Sequence, residues 1–90
     1  NLDNFSKFIK IAQAVRRPGS AAIDLAWVAC GRIEGFWELF LMPWDTAAGE
    51  LLIRESGGRV TTFNGKEYKP YDIEILASNG KIHSEMMSTL

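Results

Sequence analysis

Leu2, Phe5, Phe8, Ile9, Ala12 and Val15 recur at helical spacing and predict one amphipathic helix ending before the Arg16-Arg17-Pro18-Gly19 break. From Ser20 to Gly31 the chain is apolar nearly all round and rich in alanine, which predicts a buried helix that lets neighbouring backbones come close. Its one charge, Asp24, is expected to serve as a buried hydrogen-bond partner for a neighbouring loop. The period then changes to two: Phe36, Glu38, Phe40 and Met42 share one face of a strand, and Trp37, Leu39 and Leu41 the other. A strand apolar on both faces is expected at the centre of a sheet covered by helices, with Pro43 ending its ladder. Ala47, Ala48, Leu51 and Leu52 give a further helix, closed by Gly57-Gly58. Arg59 to Phe63 and Lys66 to Lys69, around Asn64-Gly65, read as a polar, peripheral hairpin. Ile73 to Ser78 reads as another strand, and Ile82, Met86, Met87 and Leu90 line one face of a closing helix. The succession predicts an α/β fold in one domain, residues 1–90.

Two carboxylates interrupt the most apolar stretch, Phe36 to Gly49. An ionised side chain taken out of water costs several kcal/mol, about as much as a small domain's whole stability, unless a cation, donors or a substrate compensate it. Glu38 therefore reads either as half of a buried ion pair with an arginine or as a substrate contact. Asp45 falls between the carboxyl end of a strand and a helix, where open α/β sheets place their ligands. It reads as a helix N-cap or as a metal ligand, and a helix start can position a carboxylate for both. His83 has no cysteine or second histidine to accompany it and is expected to be solvated. Cys30, in Val-Ala-Cys-Gly, is expected to be a small buried residue, and a lone cysteine excludes an internal disulfide.

Composition narrows the functional classes. A net charge of −1, with Arg16-Arg17 as the strongest basic cluster, leaves no footprint for nucleic acid. The 47% hydrophobic share is that of a globular domain, although its runs call for more partners than 90 residues supply. No signal peptide, lipidation motif or apolar run of about 18 residues is present, so no membrane association and a cytoplasmic location are expected.

Trp44-Asp45-Thr46-Ala47-Ala48-Gly49 running on to Glu55-Ser56-Gly57-Gly58 resembles the carboxyl-terminal signature of the inositol monophosphatase family. Gly19-Ser20-Ala21-Ala22-Ile23-Asp24-Leu25-Ala26, Val28-Ala29-Cys30-Gly31-Arg32, Gly35-Phe36-Trp37-Glu38 and Ile75-Leu76-Ala77-Ser78-Asn79 follow the family's order. The resemblance implies the carboxyl-terminal part of a layered sugar-phosphatase fold, a mixed sheet with helices on its faces. It also implies a Mg²⁺-dependent, Li⁺-sensitive phosphatase that hydrolyses inositol monophosphates or similar small phosphate esters, and a homodimer. By position Asp45 matches a metal-binding aspartate and Glu38 the glutamate that contacts ring hydroxyls. Gly19, Ser20 and Ala21 match a segment beside the substrate, and Arg16 an arginine near the mouth of the site. The family's amino-terminal Glu-Glu pair and Asp-Pro-x-Asp-Gly-Thr motif do not occur in this chain. The 90 residues are therefore expected to carry half a site and to be inactive in isolation. The alternatives are a noncatalytic paralogue or dimerisation module, or a related phosphatase for nucleotide bisphosphate, fructose bisphosphate, histidinol phosphate or NADP.

Overall fold

The computed structural model describes residues 2–12, 14–15 and 20–90. The chain order is α1 (Leu2–Ile11), α2 (Ala21–Ala29), β1 (Gly35–Leu39), α3 (Pro43–Glu55), β2 (Arg59–Thr61), β3 (Glu74–Ser78) and α4 (His83–Thr89). The three strands form one antiparallel sheet in the order β1-β3-β2. The expected α/β architecture is present, with one correction to its interior. β3 is the central strand and β1 an edge of the described sheet, whereas the two apolar faces of β1 predict a central strand. Those faces are covered by helices rather than by further strands, and a covered edge strand carries the same pattern as a central one.

Strand alternation divides the interior in two. Ile75 and Ala77 of β3, Val60 of β2 and Phe36 of β1 pack with Leu25 and Val28 of α2 and Ile53 of α3. Leu76 and Trp37 point the other way and pack with Phe8 of α1 and Met86 of α4, and Phe8 stacks on Trp37 with ring centroids 4.3 Å apart. The layers are thus α2 and α3, then the sheet, then α1 and α4. Full burial of Leu25, Ile53, Ile75 and Leu76 contributes about 1.5–3 kcal/mol each.

Several sequence expectations are corrected locally. α1 stops at Ile11, and of its apolar stripe only Phe8 is buried, with Leu2, Phe5 and Ile9 exposed. α3 begins at Pro43, whose fixed φ suits the first helical position. The second arm of the expected hairpin is reduced to a single bridge, Thr61 to Glu67; β2 pairs with β3 instead. Nor is this segment peripheral, since Val60, Thr61 and Tyr68 are buried. Cys30 is exposed, because it lies just beyond α2 as its C-cap.

α2 and α3 approach closely at Gly49, which is buried. A Cβ built there would lie 2.5 Å from Leu25 Cβ and 2.8 Å from Leu25 Cδ1. Gly49→Ala gains about 1 kcal/mol of helix propensity, but the overpacking of a fully buried leucine outweighs it. A net loss of about 1–2 kcal/mol is expected. Urea unfolding checks this, and an unchanged or raised midpoint would show that the two helices separate without cost.

Candidate functional site

The candidate site is built from the segment that leaves the sheet at β1 and enters α3. Glu38 sits in β1 opposite Ile75 of β3. Because Phe36 faces the α2 side, alternation puts Glu38 on that face too. Glu38 is half-buried, and its Oε1 accepts the Leu39 N–H at 3.1 Å. The ion pairs among the described residues join Arg54 to Glu50 and Glu67 and do not involve Glu38. The ion-pair reading of Glu38 thus has no partner there.

Beyond Leu39 the strand ends abruptly. Phe40 has φ 61°, the one non-glycine residue in the left-handed region among those described. Its N–H is held by the Ile73 carbonyl at 2.6 Å, and its side chain is exposed. An aromatic residue in that conformation costs roughly 1 kcal/mol or more, and such outliers concentrate at functional sites. Phe40 was expected on the same strand face as Glu38. The bend removes it from the ladder and redirects the chain into α3. No signal in the sequence marks this position, because glycine or asparagine is the usual occupant.

Asp45 lies in the first turn of α3 but is not its N-cap, which is Met42. The bonding direction is the reverse of the expected cap: Asp45 Oδ2 accepts the Met42 N–H at 3.0 Å, while the Asp45 N–H bonds to the Met42 carbonyl at 2.9 Å. The carboxylate is thereby pinned through one oxygen at the positive end of a 13-residue helix. No hydrogen bond or ion pair among the described residues engages its other oxygen, which is the one a cation contact would use. Among the described residues no group of three or more His, Cys, Asp or Glu could hold a metal ion. Asp45 fits as one ligand of a shared metal, not as a metal site by itself. Next to it Thr46 is fully buried, its hydroxyl 3.2 Å from the Tyr68 hydroxyl, which ties this turn to the β2 side of the molecule.

Ser20 is the N-cap of α2, its hydroxyl accepting the Ile23 N–H at 3.4 Å, and Ala21 is the first helical residue. Arg16 and Gly19, also singled out in the sequence, lie outside the described residues. Asp24 is buried as expected, and its Oδ1 has no hydrogen-bond partner among the described residues. Burial, and secondarily the Glu38 charge, push the Asp24 carboxyl above its usual range.

His83 departs furthest from expectation. It is fully buried rather than solvated, because α4 turns its first residue inward against β2 and β3. Nε2 is 2.7 Å from Thr61 Oγ1 and Nδ1 is 2.7 Å from Ser78 Oγ. The Thr61 hydroxyl donates to the Thr62 carbonyl at 2.7 Å, and Ser78 Oγ accepts the Gly80 N–H. This chain assigns Nε2–H as the donor and leaves Nδ1 to accept from Ser78, a neutral tautomer satisfied on both sides. Burial, helped by Arg59, lowers its pKa to about 4. Ser78 and Thr61 lie on the α4 side of the sheet, away from Glu38, so this histidine is structural.

The family model for the inositol monophosphatase family matches residues 1–90. Inositol-1-monophosphatase of Synechocystis sp. is 47% identical over 93 aligned positions, covering 100% of this chain and 31% of that protein. The Nus factor SuhB of Escherichia coli is 49% identical over 75 positions, covering 83% of the chain and 28% of SuhB. The solved inositol monophosphatase of Anabaena (Nostoc) sp. superposes with a TM-score of 0.96 at 45% identity, over 99% of this chain and 35% of that one. The chain belongs to the inositol monophosphatase family. It spans between about a quarter and a third of the length of the curated relatives it matches, 31% and 24% of two of them.

Proposed function

We propose that these residues form the substrate- and metal-contributing portion of a Mg²⁺-dependent phosphatase that hydrolyses inositol monophosphates to inositol and phosphate. The observation that supports it is the pairing of roles along one bend: Glu38 on an edge strand with no ion-pair partner among the described residues, and Asp45 fixed at a helix start through one carboxylate oxygen. Asp45 would hold the metal together with ligands from elsewhere in the enzyme. Mg²⁺, when bound, would supply a Lewis acid that neutralises phosphate oxygens and activates water. Glu38 is acceptor-only when ionised, so it suits hydroxyl donors on a polyol ring and repels a phosphate. The start of α2 at Ser20 and Ala21 is the helix end beside which the ester is expected to lie. Arg16 and Gly19 keep the places that the family resemblance gives them. The homodimeric state, Li⁺ sensitivity and cytoplasmic location belong to this proposal and rest on the same resemblance.

The test is phosphate release by the full-length protein from inositol 1-phosphate and from an aryl phosphate, with and without Mg²⁺. Glu38→Gln weakens charge-assisted bonds worth about 1.5–3 kcal/mol, so KM for inositol phosphate should rise about tenfold or more. The aryl ester has no ring hydroxyls, and its KM should stay within about twofold. Equal effects on both substrates would assign Glu38 a structural role.

A noncatalytic role has one observation in its favour, the absence of a complete ligand set among the described residues. Full-length protein without Mg²⁺-dependent turnover on any of the phosphate esters named above would establish that reading instead.

A further inference from the structure

The first turn of α3, Pro43 to Thr46, carries the Asp45 carboxylate on a largely open surface, with Met42 and Trp44 both exposed. The N-cap, Met42, has only a thioether to offer the orphan N–H groups of that turn, and a thioether is a weak acceptor. Helix ends of this kind fray unless a tertiary contact holds them. Thr46 makes that contact: it is fully buried and is the first residue of α3 to be buried at all.

Two hydroxyls meet at Thr46. Its Oγ1 donates to the Pro43 carbonyl at 3.3 Å, at the start of the same turn, and lies 3.2 Å from the Tyr68 hydroxyl. With its one proton given to a carbonyl, Thr46 accepts and Tyr68 donates. A single chain of bonds thus runs from Tyr68 through Thr46 to Pro43 and clasps the turn that bears Asp45. Tyr68 is a firm base for it. The residue is buried in the cluster that holds Ile53 and Val60. Its N–H bonds to the Val60 carbonyl at 3.4 Å and its own carbonyl accepts from Arg54 Nη2 at 3.3 Å. Arg54 in turn pairs with Glu50 and Glu67, each at 2.9 Å. Stability alone does not call for these hydroxyls. Phenylalanine and valine have closely similar shapes, and replacing both partners of a buried bond by apolar groups of the same shape is nearly neutral. What the pair adds is direction.

We infer that Tyr68 is a positioning residue for the metal-facing carboxylate: through Thr46 its hydroxyl fixes the first turn of α3, and with it the direction in which Asp45 meets a divalent cation. This rests on the reading of Asp45 as a metal ligand. Mg²⁺ demands near-octahedral geometry at short, defined distances, so a turn that rocks lowers affinity without the loss of any ligand.

Calorimetric Mg²⁺ binding to the full-length protein, without substrate and beside a melting curve, tests this. Tyr68→Phe keeps the ring and removes the donor; the Kd for Mg²⁺ should rise about threefold or more, since one buried hydrogen bond corresponds to a factor of about two to ten. Thr46→Val should give the same rise. The double variant, Tyr68→Phe with Thr46→Val, should keep the Kd of either single variant, because the two act as one unit, while its melting temperature returns toward that of wild type. Leu76→Val, in the opposite layer, should lower the melting temperature and leave the Kd within about twofold of wild type. Wild-type affinity in Tyr68→Phe, an equal rise in Leu76→Val, multiplied Kd effects in the double variant, or affinity regained there together with stability would each overturn the inference while leaving Asp45 at the metal. Unchanged Mg²⁺ affinity in Asp45→Asn would remove the metal reading and this inference together.

Discussion

Asp45→Asn in the full-length protein is expected to lower kcat/KM by about 100-fold or more while leaving the fold intact. The asparagine has the same shape, and its side-chain oxygen can still accept the Met42 N–H that now holds Oδ2 at 3.0 Å. Thermal stability should therefore change by less than about 1 kcal/mol, the worth of a typical helix-end interaction. What disappears is the negative charge of the carboxylate, including the oxygen that the Met42 N–H does not engage. Loss of even an outer partner of a metal ligand costs roughly 10–100-fold, and a direct ligand to a hard cation matters more. Steady-state kinetics across a Mg²⁺ titration, beside a melting curve, separate the two roles. Unchanged turnover and Mg²⁺ dependence would take Asp45 out of the metal site and leave it as a helix-end carboxylate.

Acidification should destabilise the fold through His83, the chain's one histidine. Its ordinary value of 6.5 falls to about 4 in the folded protein. Between those values the unfolded chain holds the proton and the folded chain does not, so stability rises with pH. The contribution is complete above pH 6.5 and is lost as pH falls toward 4, amounting to roughly 3 kcal/mol. Protonation places a second N–H against Ser78 Oγ, which already accepts from Gly80. Asp24 works in the opposite sense, since its raised pKa favours the folded state as pH falls. The measurement is accordingly a difference: urea unfolding of wild type and His83→Gln at pH 7, 5.5 and 4.5. The gap between them should shrink by about 2 kcal/mol or more toward the acid end; a constant gap would mean that His83 titrates normally.

The periodic elements were legible in the sequence because burial and period coincide in them. α2, α3, β3 and α4 lie where their apolar spacing puts them, and Glu38 and Asp45 share one bend as the strand-to-helix reading required. The failures have physical causes. β1 looks central because helices cover both its faces, and periodicity alone does not distinguish a covered edge from a paired one. His83 has a polar label but occupies a core position whose hydroxyl partners, Thr61 and Ser78, come from strands 22 and five residues away. No local pattern reports such a pairing. Asp45 caps in reverse because Pro43 opens the helix early, with the N-cap at Met42 rather than at Asp45. Phe40 adopts a backbone conformation that its side chain disfavours, and only the demands of the bend explain it.

The division of the interior by β3 has a practical consequence for damage tolerance. Glu38, Asp24 and the α2–α3 contact all lean on the layer that contains Leu25, Ile53 and Ile75, whereas Phe8, Leu76, Met86 and the buried histidine belong to the opposite layer. A lesion in that opposite layer subtracts from stability but leaves Glu38 and Asp45 where they stand. A lesion of equal energy beneath α2 displaces Glu38, the group proposed to meet the ester. Two variants with matching melting points can therefore differ widely in turnover, and the side of the central strand on which the change falls decides which one still works.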